Sequence, residues 1–172
     1  MFKRRNLYDN PLNFIASYYD CGRFMDSSAS KIIFVVVIQL LGVASGKEIT
    51  KLLWRFEDDL HRDALNGDIG CKLNSEYLWV YAAVVEGVGV FLVVVGSHFT
   101  SRKWKTVVRS CVATLLFLMF QHVSGLIMNP VVATGLLFGC RGNQGVWEIL
   151  CVYWLGPIVC IILSKEITTK MR

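Results

Sequence analysis

The residues with most chemistry to offer are two Asn-Pro pairs, Asn129-Pro130-Val131 and Asn10-Pro11-Leu12, each heading a short, largely apolar stretch. Asn is a strong helix N-cap and Pro is favoured at the first helical position, so each pair is suited to start a helix. A helix that starts at mid-depth in a membrane leaves four backbone N–H groups unpaired, which hydrocarbon penalises and a water-lined cavity tolerates. The Asn amide can donate to a passing molecule, while the positive end of the helix dipole repels cations and protons. Together these features suit a pore that passes neutral solutes. Asn10-Pro11 taken alone reads equally as an ordinary turn near the N-terminus.

Other polar groups sit in apolar surroundings. Glu86 interrupts a hydrophobic run, and an intramembrane carboxylate is a functional candidate by default, either as an acceptor that holds neighbouring loops or as a proton carrier. His122 suits a pH response or a simple hydrogen bond to a neighbouring helix. Of six cysteines, Cys111, Cys151 and Cys160 lie inside apolar blocks, where thiols behave as small hydrophobes, and no disulfide framework or zinc spacing is legible. No nucleophile, base and orienter combine, nor does a metal-ligand set. The sequence therefore predicts no catalytic residue, no metal and no cofactor.

Four elements are long and apolar enough to position these groups across a bilayer: residues 32–54, 77–97, 106–124 and 146–164. Two shorter apolar stretches, 10–23 and 129–139, have the length of re-entrant half-helices. Three spans separate the two Asn-Pro pairs. An odd number inverts the second half-helix relative to the first and turns their N-termini towards each other at the midplane. An acidic connector with Glu57, Asp58, Asp59, Asp63 and Asp68 follows the first span, and a basic turn from His98 to Lys105 joins the second to the third. Gly42, Gly46, Gly87, Gly89, Gly125 and Gly135 are expected at close helix contacts, where small residues let helices approach. Trp147, at the edge of the fourth span, is placed as an interfacial anchor.

Composition agrees with a membrane solvent. Of 172 residues 54% are apolar, and the mean hydropathy is +0.48; a soluble domain of this size could not hide so much apolar surface. The formal charge of +5 sits beside hydrophobic blocks, which excludes a nucleic-acid partner and leaves the bilayer as the expected one. By the positive-inside rule Lys3, Arg4, Arg5, Arg23, Lys31, Arg102, Lys103, Lys105, Lys165, Lys170 and Arg172 face the cytosol. Residues Met1 to Asn10 lack the apolar segment of a signal peptide, so insertion is expected to rely on a later span.

With these residues in place the sequence resembles the aquaporins, the major intrinsic proteins. Asn10-Pro11-Leu12 is similar to the first NPA box and Asn129-Pro130-Val131 to the second. Gln39 with its neighbours 38–42, Glu86, the stretch 122–125 and Val152 to Pro157 match the family's third, fourth, fifth and sixth helices. Cys140, nine positions after Val131, has the spacing of the unorthodox super-aquaporin subfamily. The resemblance implies an all-α polytopic membrane protein with a right-handed, aquaporin-like bundle, partial in having four transmembrane helices and two half-helices. On this resemblance the family's first two helices are expected to have no counterpart in the residues ahead of Asn10. It implies a passive channel for water and small neutral solutes such as glycerol or hydrogen peroxide, a homotetramer, and the endoplasmic reticulum or another intracellular membrane as its location.

The resemblance also assigns roles. Glu86 and Gln39 would support the re-entrant loops, and Phe117, Leu126 and Val132 would stand at the selectivity filter. Val132 replaces the filter arginine of orthodox members, so a more apolar filter with weaker water selectivity is expected. Cys140 would pack as a small hydrophobe or react as a thiol. The competing expectation is a truncated, non-conducting or accessory membrane subunit of a full-length aquaporin.

Overall fold

The computed structural model of the chain describes residues 10–20, 28–56, 78–138 and 145–171. All regular structure among these residues is helical. Four helices are long and apolar enough to span a bilayer: α2 (Ser28–Trp54), α3 (Trp79–His98), α4 (Lys105–Ser124) and α6 (Val146–Lys170). Two short helices complete the set: α1 (Pro11–Asp20), with 10 residues, and α5 (Pro130–Leu137), with 8. At 1.5 Å per residue the short helices reach only about 12–15 Å, roughly half the hydrocarbon thickness. The chain thus has the all-helical architecture of a multi-pass membrane protein.

Several bounds differ from those read in the sequence. The fourth span continues past residue 164 to Lys170, because its end is amphipathic: Ser164 and Thr168 are buried, and Lys170 pairs with Glu166 at 3.7 Å, one turn apart. The acidic connector, with Glu57, Asp58, Asp59, Asp63 and Asp68, lies outside the described residues, as do Lys3, Arg4, Arg5, Arg23 and Arg172.

Helix α3 is the centre of the bundle and packs on both α4 and α6. Its buried residues Ala82, Val85, Glu86, Gly89, Val90 and Val93 recur every three or four positions along one stripe, the pattern of a helix with a single core-facing side. The opposite side carries exposed Val84, Val88 and Leu92, suited to lipid. Much of α2 and α4 is also exposed, including Ile33, Phe34 and Leu41 on the first and Leu115, Leu118 and Met119 on the second. Trp147 is exposed at the start of α6.

Glycines set two of the closest approaches. A Cβ on Gly156 would stand 2.6 Å from the Ala83 carbonyl oxygen of α3, and one on Gly87 would stand 2.7 Å from Cys160 Sγ and 2.9 Å from the Gly156 oxygen. The α3–α6 crossing therefore has no room for a methyl group on either side. Gly156→Ala is expected to cost about 1–3 kcal/mol through overpacking, read as a lower thermal unfolding temperature in detergent. A Cβ on Gly135 would collide with Val43, where α5 lies on α2. Gly42 and Gly46 correct the expectation of close contacts: both are exposed and nothing described lies within 4 Å of an added Cβ, because they sit on the outward side of α2. Gly125 serves a different purpose, ending α4 in the left-handed conformation at φ 80°, which glycine adopts without steric cost.

Helix α6 contains a π-helical turn, Leu150–Leu155, just ahead of Pro157. Proline cannot donate to the carbonyl one turn back and its ring crowds that carbonyl. The wider turn relieves the crowding and re-aims the side chains that precede it. Val152 and Tyr153 are fully or almost fully buried as a result.

Candidate pore site

Each Asn-Pro pair builds the start of a short helix. Asn129 has extended backbone angles and its Oδ1 accepts from the N–H of Val131 at 3.2 Å and of Val132 at 3.4 Å, with Pro130 in the first helical turn. Asn10 Oδ1 accepts from the Leu12 N–H at 3.0 Å. In each case the amide oxygen is consumed by capping. Asn10 Nδ2 crosses to donate to the Met128 carbonyl at 2.8 Å, so the start of α1 touches the residue immediately before Asn129. The positive ends of two helices thereby meet.

The segment that joins α4 to α5 is held by Glu86. Its Oε1 accepts from Ser124 Oγ and from the Ile127 N–H, both at 2.9 Å, and its Oε2 accepts from the Met128 N–H at 2.8 Å. The side chain is fully buried, about 10 Å along α3 from Trp79. The segment needs such a clamp because Leu126 and Met128 have φ of 39° and 49°, a region that costs a non-glycine residue of order 1–3 kcal/mol. The geometry of Glu86 is that of an acceptor occupied by loop donors.

Further supports come from side chains that the sequence reading did not single out for this purpose. Tyr153 Oη donates to the Ser124 carbonyl at 2.7 Å. Trp154 Nε1 donates to Thr134 Oγ1 at 2.9 Å, and that hydroxyl donates to the Pro130 carbonyl at 2.7 Å. Lys47 of α2 donates to the carbonyls of Leu136 and Phe138, at 3.2 and 3.1 Å, and so places a cation at the negative end of α5. Tyr153→Phe removes one buried hydrogen bond and is expected to lower stability by about 1 kcal/mol, checked by thermal unfolding.

Asn10 and Asn129 line one cavity of about 270 Å³, together with Asn13, Arg109, the Ile127–Met128 segment and apolar residues of α3 and α6. The cavity combines apolar walls with a few convergent polar groups, the usual character of a site for small molecules. Phe117, Leu126 and Val132 stand outside its lining. Phe117 is exposed on α4 and Leu126 is buried in the core beside Gly89, while Val132 is half-buried on α5. Gln39 is half-buried on α2 and His122 is exposed near the end of α4. Cys140 lies outside the described residues. Pro11, Leu12, Pro130 and Val131 are buried, and Leu12 also lines the cavity.

Comparison with known proteins yields relatives of one kind. The chain is 28% identical over 97 residues to "Aquaporin SIP2-1" of Oryza sativa subsp. japonica, a match covering 53% of this chain and 38% of that protein. It is 31% identical over 90 residues to "Probable aquaporin SIP2-1" of Arabidopsis thaliana, covering 49% and 38%. It is 30% identical over 90 residues to "Aquaporin SIP2-1" of Zea mays, covering 49% and 36%. The matched part is thus under two fifths of each relative's length. No protein-family model matches the chain, and no solved structure does. What the chain is similar to, over about half of its own length, is thus a set of proteins each named as an aquaporin, and its four apolar spans agree with a place in a membrane.

Proposed function

We propose that the chain is a passive channel whose conduit passes the cavity between the two Asn-Pro half-helices and carries water and small neutral solutes such as glycerol or hydrogen peroxide. The observation that carries this reading is the convergence of Asn10 and Asn129 on one cavity, with Asn10 bonded to the residue before Asn129. Their amide oxygens are used in capping, which orients the amide groups, and the facing helix ends give the cavity a positive potential that disfavours cations. Glu86 and Gln39 act as loop supports, and of the three filter candidates Val132, on the half-helix that Asn129 starts, is the one kept near the conduit, where it offers no fixed cation. Cys140, by its spacing from Val131, supports a super-aquaporin relation. Homotetramer assembly and an intracellular membrane such as the endoplasmic reticulum follow from the same family relation.

A second reading has its own support. In the spanning window of α2 none of the residues is buried, and in that of α4 only 6% are, so both helices present faces on which further helices could pack. An accessory subunit that completes its wall with a full-length aquaporin would use those faces. Stopped-flow permeability of proteoliposomes separates the two. Water or hydrogen peroxide flux above that of empty vesicles supports the autonomous channel. Flux only when a full-length relative is co-reconstituted supports the accessory subunit.

A further inference from the structure

We infer that Arg109 is a specificity-determining residue of the conduit, a fixed cation that bars positive ions from the cavity while leaving neutral solutes free to pass; this rests on the channel reading above. Arg109 belongs to the first turns of α4, where the bland expectation is a side chain that turns out to the headgroups. It reaches across to α1 instead, while remaining exposed at the edge of the cavity. Its Nη2 donates to Asn13 Oδ1 at 3.0 Å, and both residues line the cavity shared by Asn10 and Asn129. Ala113, one turn further along α4, lines the same cavity, so this helix gives the cavity a continuous face on which a small residue leaves space beside the guanidinium.

Three positive features then share one sign and one volume. The two half-helix N-termini contribute roughly half a charge each, and Arg109 adds a full one. It is the charged residue among those described around the cavity. Guanidinium cannot be deprotonated in proteins, so the barrier is permanent. Asn13 takes one of its donors and fixes its position, and the remaining donors stay available to the oxygen of a passing solute. Val132 offers no cation on α5, and Arg109 supplies one from another helix, at a place in the conduit closer to α1.

The test measures potassium efflux from proteoliposomes, with a protonophore to balance charge, beside water flux by stopped flow. The parent chain is expected to release potassium no faster than empty vesicles. Arg109→Gln is expected to release it at least roughly tenfold faster, equivalent to a barrier lowered by about 1.4 kcal/mol, with water flux within about threefold of the parent. Arg109→His gives a control within one folded sample, since imidazole changes charge between about pH 5 and pH 8. Its efflux is expected to be at the parent level at the acidic end and raised at the alkaline end, and this comparison decides the question even where Arg109→Gln fails to insert. Asn13→Ala keeps the charge and removes the tether, so it is expected to keep potassium out. Efflux from both arginine variants at the parent level throughout would overturn the inference, as would an Asn13→Ala leak equal to that of Arg109→Gln. Absence of water flux from the parent chain would overturn the channel reading itself, and this inference with it.

Discussion

Glu86→Ala is expected to destabilise the protein more than any other single change at the site. The carboxylate accepts from two backbone N–H groups, both part-buried, and from one buried hydroxyl. Leaving the two part-buried backbone donors unsatisfied costs at most roughly 2–6 kcal/mol, and the segment from Gly125 to Asn129 would then relax from the strained angles at Leu126 and Met128. Glu86→Gln keeps the shape and one acceptor oxygen but turns an amide N–H towards a donor, so its expected loss is smaller, about 1–3 kcal/mol. The measurement is thermal unfolding in detergent followed by tryptophan fluorescence. The account expects the order parent, then Gln, then Ala, with solute flux falling in the same order. An alanine variant as stable as the parent would mean that the segment holds its shape without the clamp.

Much of the fold is legible because a bilayer restricts what a chain can do. Apolar runs of spanning length and the parity of spans between Asn10 and Asn129 were enough to expect four long helices and two short ones with facing N-termini. Glu86 was conspicuous for the same reason: a carboxylate inside an apolar run demands partners. The partners themselves were not legible. Tyr153 and Trp154 fall within the stretch Val152 to Pro157, and their hydrogen bonds to Ser124 and Thr134 depend on a π-helical turn that leaves no periodic signature in so short a stretch. Lys47 lies within the first apolar span, and its carbonyl partners at the end of α5, Leu136 and Phe138, are about ninety positions away along the chain.

Arg109 did carry a signal. It lies inside the third span, where an ionisable residue is a functional candidate, and the basic turn before it drew attention to the headgroup region instead. The glycines show the opposite limit. Gly87 and Gly156 sit at contacts and Gly42 and Gly46 do not, yet all four are small residues in apolar runs, and only the packing of α3 on α6 tells them apart. The filter assignment of Phe117, Leu126 and Val132 came from family likeness, and side-chain exposure on the folded chain separates the three into different surroundings.

The central claim is that neutral solutes pass the amide of Asn129 at the meeting point of two half-helices, and Asn129→Asp in the reconstituted chain tests it most directly. Aspartate caps a helix about as well as asparagine, so α5 keeps its start and the fold its stability. The amide donor is lost, and a negative charge replaces it at the cavity. The account predicts water and hydrogen peroxide flux at the empty-vesicle level for the variant, against clear flux for the parent, with unchanged helical content and unfolding temperature. A folded variant that conducts like the parent would contradict it.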